Sequence, residues 1–329
     1  MRDNFVRQLS DMARTDPRLF LMTADLGFRV LDGFAADFPK QYLNVGIAEQ
    51  NMIGLATGMA LDGRVVFTYS IGNFSTLRCL EQIRNDACYH NANVKVVAVG
   101  GGFSYGPLGI SHHATEDLSV MRSLPHMTVV APGDQWETRE ATKALVATQG
   151  TCYLRLDKSS APATVRSGDV FTLGKARTVR EGTDITLAAT GGILGAALEA
   201  ADSLVEQGIA CRVLSIHTIK PFDTEAILRA CRETGGIVTV EEHTIDGGLG
   251  SLVAETCMDA GIQPTVFHRI GLRAGFSSMV GGQDYLRREY GMDPATIAKA
   301  VAELVSAGPE KQRRPHLRVS RGGSAGGAP

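Results

Sequence analysis

The sequence predicts an α/β protein built from two doubly wound domains with mainly parallel sheets. Short β-branched runs alternate with helical segments from one end of the chain to the other, the pattern of parallel strands covered on both faces. At 329 residues the chain also exceeds one ordinary core, since a domain takes roughly 150. Between the two series of strands lies DKSSAPATVRSGDVFTLGKARTVREGT (157–183), which has Pro, Ser, Gly and charge but little helical pattern. These features divide the chain into a first domain over 1–165, a linker and start of the second over 166–183, and a second domain over 184–308.

The chain opens with MRDNFVRQLSDMARTD, charged and amphipathic, without the apolar centre of a signal segment. Strands are expected in LFLMTADL (19–26), RVVFTYS (64–70), VKVVAVGG (94–101), MTVVAPGD (127–134) and CYLRLD (152–157). The second half offers DITLAATG (184–191), ACRVLSI (210–216), GIVTVEE (236–242) and TVFHRIGL (265–272). After Gly308 the composition shifts to PEKQRRPHLRVSRGGSAGGAP, and a disordered tail is expected over 309–329, because so little apolar surface cannot offset the entropy of ordering.

Charge and composition narrow the function. With 33 basic against 35 acidic residues and no basic stripe interleaved with aromatics, a nucleic-acid surface is not expected. No apolar run approaches the ~20 residues of a membrane span, so a cytoplasmic protein is expected. The six cysteines are scattered without a CxxC pair or a histidine at metal-ligand spacing, which reads as reduced packing residues and no metal site on this chain.

Three segments carry chemistry. In NVGIAEQNMIGLATGMAL (44–61), Glu49 falls on one helical face with Ile53, Ala56 and Ala60. It is either a surface acid complementing the helix dipole or a buried acid whose pKa is raised for proton chemistry. In SHHATEDLSVMRSLP (111–125), Thr115 looks like a cap of the following helix, which puts His112 and His113 just before a helix N-terminus, where an imidazole tends to stay neutral. In and just after YSIGNFSTLRCLEQIRND (69–86), Phe74, Leu77 and either Leu80 or Cys88 recur on a helix expected after the strand RVVFTYS; they form either a core stripe or, through Phe74, a platform for a flat ring. The Gly-rich turns GGGFSYG, TGGILG and DGGLGS do not fit the dinucleotide fingerprint, and no P-loop occurs.

In combination, GIAEQNMIGLATGMALDG, Phe74 one βα unit later and GISHHATEDLSVMRSLPHMTVVAPGD resemble the pyrimidine-binding domain of thiamine-diphosphate enzymes of the transketolase group. EEHTIDGGLGSLVAE is similar to the transketolase C-terminal domain, and the resemblance covers about residues 1 to 306. It implies that Glu49 hydrogen-bonds N1′ of the cofactor's aminopyrimidine and so activates thiamine diphosphate for cleaving a C–C bond next to a carbonyl. It further implies that Phe74 stacks on that ring, that Ile47, Leu77 and Leu80 wall the pocket, and that Asp25 lies near the cofactor. His112 would contact substrate, and Arg7 and Lys158 would bind a substrate phosphate.

Two departures bear on the substrate. Transketolases read D-G-P-T-H where this chain reads Leu108, Gly109, Ile110, Ser111, His112, so an apolar residue replaces an expected hydroxyl partner. In TADLGFRVLDG, Phe28 and Arg29 replace small residues. The diphosphate-binding G-D-G, with its asparagine about 30 residues on, is absent, and a divalent metal such as Mg²⁺ needs such oxygen ligands. The resemblance is therefore to the C-terminal subunit of a split transketolase, whose partner subunit binds the diphosphate and the metal in an α2β2 heterotetramer. It would move a two-carbon ketol unit between sugars or sugar phosphates. A 2-oxoacid decarboxylating or carboligating subunit, like deoxyxylulose-phosphate synthase or a dehydrogenase β subunit, and a non-catalytic scaffold subunit are the alternatives.

Overall fold

The structure, a computed structural model, describes residues 1–273 and 275–311, with side chains of the last helix described to 307. Its strands are β1 (Leu19–Thr23), β2 (Tyr42–Asn44), β3 (Val65–Ile71), β4 (Val94–Val99), β5 (Met127–Val130), β6 (Thr151–Leu156), β7 (Arg177–Arg180), β8 (Ile185–Thr190), β9 (Cys211–Ser215), β10 (Thr218–Lys220), β11 (Ile237–Thr244) and β12 (Phe267–Leu272). Each of the nine runs named from the sequence holds a strand. The three others are short or polar: β2 and β10 have three residues each, and β7 reads Arg-Thr-Val-Arg.

The strands form two sheets, ordered β10-β5-β6-β4-β3-β1-β2 and β12-β11-β8-β9-β7. Among the described residues all strand pairings are parallel except β10 on β5 and β7 on β9. β4 and β6 are buried along their whole length because helices cover both sheet faces, which explains why they read as mainly apolar runs rather than alternating ones; their buried cations, Lys95 and Arg155, donate to the Gly150 and Glu242 carbonyls. One face of the first sheet packs on Phe5, Leu9, Phe34 and Leu145. The other packs on Met52, Ile53, Ala56 and Leu118, in a core that continues into Leu214, Ile216 and Ile227 of the second half. β10 also comes from the second half and pairs through Thr218 with Val130, covering an edge of the first sheet that would otherwise expose unpaired backbone groups.

A buried polar cluster ties the halves together. Arg155 lies 3.3 Å from Asp117 and 3.2 Å from Asp157, and it donates to the Glu242 carbonyl at 2.8 Å. The Tyr153 hydroxyl donates to Asp117 at 2.6 Å. Glu242 in turn accepts from the Phe103 backbone N–H and from Gln283 and Arg287.

In the first sheet the chain passes from β1 to one neighbour, β2, and then to the other, β3. Strand order reverses there, and in open α/β sheets such a switch leaves a crevice at the carboxyl ends of the strands. The helical spacing of Phe74, Leu77 and Leu80 after β3 is not carried by one helix. The segment is an α turn at Gly72–Ser75, a 3-10 turn at Leu77–Cys79, an α turn at Leu80–Gln82 and a π turn at Ile83–Cys88. Thr76, with φ −118 and ψ −80, breaks it after the first turn. The final helix runs over Pro294–Lys311, into the span expected to be tail and past Pro309; 312–329 lie outside the described residues.

Candidate active site

The site is assembled from segments that follow the carboxyl ends of β3, β4 and β6, with Glu49 at the start of the helix Glu49–Leu61 after β2. Two small residues bring the β3 and β4 segments together. A Cβ on Gly72 would meet Ala114 Cβ at 2.7 Å, so only glycine permits that approach. Next to it, Asn73 Nδ2 donates to the His113 carbonyl at 2.8 Å.

That junction sets Phe74 against His112, ring centroids 5.1 Å apart at 66°. On the Phe74 ring lies the Arg78 guanidinium, 4.2 Å from the centroid, and Arg78 Nη1 is 2.9 Å from both Glu49 oxygens. His112 also neighbours Tyr105, centroids 6.2 Å apart, with Lys158 Nζ 3.6 Å from the Tyr105 ring centre. Glu49, Arg78, Phe74, His112, Tyr105 and Lys158 thus make one continuous chain of contacts, three rings with an ion pair at one end and an ammonium at the other.

Of the two readings open for Glu49, burial is the one found. It is 4% exposed, and Ile53, Ala56 and Ala60 on the same face are buried with it. Its counter-charge, Arg78, is not marked by any motif in the sequence; the available signal is a cation four residues after Phe74 in an otherwise apolar turn. His112 is half-buried, and desolvation, then the neighbouring His113, holds its imidazole below the usual 6.5. Its Nδ1 is 2.9 Å from Ser111 Oγ. The helix after it begins at Asp117 with Glu116 at the N-cap position and no side-chain cap, so the cap expected from Thr115 is not made.

The remaining predicted residues are distributed differently. Ile47 is 80% exposed on the turn before the Glu49 helix, and Leu77 is 41% exposed, so neither walls a pocket within this chain. Leu80 is half-buried and packs on the core behind the site. Leu108 is exposed at 56%, on the loop that carries His112. Asp25 follows β1 in the left-handed region at φ 53, its backbone N–H donating to Asn44 Oδ1 at 2.9 Å. Arg7 is exposed on the helix Arg2–Ala13. Arg2, about 140° away around the same helix, is the cation whose charge bears on Tyr105 and on Lys158. Among the described residues no group of three His, Cys, Asp or Glu could hold a metal ion. No helix among them is long and apolar enough to cross a membrane.

A buried carboxylate beside an aromatic face suits a flat, nitrogen-bearing ring: the carboxylate accepts a hydrogen bond from the ring edge while the aromatic covers its face. Comparison with known proteins places the chain in a family. The family described as "Transketolase, pyrimidine binding domain" matches residues 1–164, and "Transketolase, C-terminal domain" matches 174–297. The 6-deoxy-6-sulfo-D-fructose transketolase subunit of a Clostridium species is 39% identical over 305 residues, covering 92% of this chain and 94% of that one. An apulose-4-phosphate transketolase subunit of Phocaeicola vulgatus is 38% identical, covering 92% and 97%. A solved structure titled "Split gene transketolase, inactive beta4 tetramer" superposes with a TM-score of 0.82 at 34% identity, covering 93% of this chain and 97% of that one.

Proposed function

Because the chain belongs to the transketolase family, carrying its pyrimidine-binding and C-terminal domains, we infer that it is the C-terminal subunit of a two-subunit, thiamine-diphosphate-dependent transketolase. It transfers a two-carbon ketol unit between sugar or sugar-phosphate substrates. Two similar proteins are named as transketolase subunits, and this chain matches nearly their whole length, which supports a partner chain rather than a self-sufficient enzyme.

The observation that carries the reading is Glu49, an acid buried on an apolar helix face beside the Phe74 ring. Thiamine diphosphate, when bound, supplies the nucleophilic carbon and the electron sink for C–C cleavage. Glu49 holds the proton at the aminopyrimidine edge, and Phe74 fixes the plane of the ring. His112, neutral at working pH because burial disfavours its charged form, donates to or accepts from the substrate oxygen at the reacting carbon. Lys158 and Arg2, rather than the outward Arg7, are the cations available to a substrate phosphate on the Tyr105 side.

The diphosphate and its divalent metal belong to the partner, which completes the site in an α2β2 assembly in the cytoplasm. Ile47, Leu77 and Leu108, exposed and apolar around the site, form the rim that the partner covers. Leu108 also supplies no hydrogen bond where a substrate hydroxyl is ordinarily held, so the acceptor differs from the ordinary pentose phosphates. The test is to mix the purified chain with its partner, thiamine diphosphate and Mg²⁺, and to follow both ketol transfer and release of CO2 from pyruvate. Ketol transfer without CO2 release is expected; CO2 release as the main reaction would assign the subunit to the 2-oxoacid group instead.

A further inference from the structure

Arg78 makes both of the contacts that the site offers to a cofactor ring. Its guanidinium lies 4.2 Å from the centre of the Phe74 ring, and a single nitrogen, Nη1, sits 2.9 Å from each oxygen of Glu49. A guanidinium is planar, donates hydrogen bonds from its edge and stacks through its face, which are the properties for which Glu49 and Phe74 suit an aminopyrimidine. We propose that Arg78 is a positioning residue that substitutes for the aminopyrimidine, holding Glu49 and Phe74 in place while the cofactor is absent and withdrawing when the ring enters.

Several features make the exchange physically reasonable. Glu49 is 4% exposed, and without a partner a buried carboxylate is costly, so some group must satisfy it in the empty subunit. The Arg78 side chain is 44% exposed and can return to solvent without opening the core. It sits in the 3-10 turn Leu77–Cys79, between the turn ended by Thr76 and the π turn Ile83–Cys88, rather than in a regular helix that would fix its direction. The consequence is competition: the same carboxylate cannot serve Arg78 and the ring together, so cofactor affinity carries the cost of breaking the ion pair.

This inference rests on the assignment of Glu49 and Phe74 to the aminopyrimidine, and a double-mutant cycle separates the two. The full chain, assembled with its partner and Mg²⁺, is titrated with thiamine diphosphate by calorimetry as wild type, Arg78→Met, Glu49→Gln and Glu49→Gln/Arg78→Met. Arg78→Gln, at the same solvent-accessible side chain, serves as the second variant should Arg78→Met fail to fold. The expected result is at least five-fold tighter binding on replacing Arg78 when Glu49 is present, and no gain when residue 49 is glutamine. Unchanged or weaker binding in the Glu49 background, or an equal gain in the glutamine background, would overturn the substitution while leaving the cofactor assignment intact. Absence of binding by the wild-type assembly would overturn both.

Discussion

Phe74 and His112 touch edge to face, 5.1 Å between ring centres, although they belong to segments following different strands, β3 and β4. The contact joins the two ends of the proposed chemistry, the residue that carries the cofactor ring and the residue that meets the substrate. Phe74→Ala should therefore do two things. It should weaken thiamine diphosphate binding by about 0.5–1.5 kcal/mol, the range for an aromatic pair, and its effect on ketol transfer should not add to that of His112→Ala. Calorimetry and a kinetic double-mutant cycle read the two quantities.

His112 should be required neutral. Desolvation lowers its pKa from 6.5, so at pH 7 the imidazole is uncharged and the acid limb of kcat/KM should fall below pH 6.5 rather than at it. His112→Ala should cost about 10²–10³-fold in kcat/KM and abolish that limb. A pH–rate profile of both proteins checks the assignment.

Arg155 should be the most sensitive structural position. It is 3% exposed between two carboxylates, Asp117 and Asp157, so Arg155→Met leaves two buried negative charges facing each other. Removing one member of such a buried set costs about 3–5 kcal/mol. Urea denaturation of the purified variants should register a loss of that size, whereas Arg7→Met, at an exposed helix position, should stay within about 0.5 kcal/mol of wild type.

The pH dependence of stability should contain opposing contributions. Burial holds His243 down to about 4 and His217 to about 3, so between those values and 6.5 the unfolded chain binds more protons and stability rises with pH. Glu241 is buried against the backbone N–H groups of Leu249 and Gly250, and burial lifts it from 4.5 to about 7. There the folded chain binds more protons, so its contribution is present below pH 4.5 and lost as pH rises through 7. Glu241→Gln should consequently make stability climb more steeply between pH 4.5 and 6.5 than in the wild type, as read from denaturation midpoints across that range.

The parallel strands were legible because burial on both faces favours continuous apolar runs, and LFLM in β1 and VVAV in β4 display that preference directly. The antiparallel edge strands were not, because β7 and β10 owe their existence to neighbours far along the chain, Leu214 and Val130, rather than to local pattern. Periodicity likewise aligned Glu49 with the apolar side chains of its helix, since helical spacing is a local property, but the burial of that face is read from the fold. Such spacing could not supply Arg78, whose contact with Glu49 spans 29 residues, nor foresee that Thr76 would break the helix expected to carry Leu77 and Leu80 as pocket walls. Arg2 is hidden for a related reason. Arg7 fits a linear pattern of the family, but only the fold reveals which face of the first helix looks towards Lys158.

Everything proposed for the site depends on Glu49, completed by a partner chain, driving ketol transfer. The decisive measurement is the ketol-transfer rate of the assembled subunits with thiamine diphosphate and Mg²⁺, compared between Glu49 and Glu49→Gln at equal cofactor occupancy. A loss of at least ~10²-fold in the glutamine variant is expected, with no transfer by this chain alone. A rate retained by the glutamine variant, or full activity of this chain without a partner, would contradict that role.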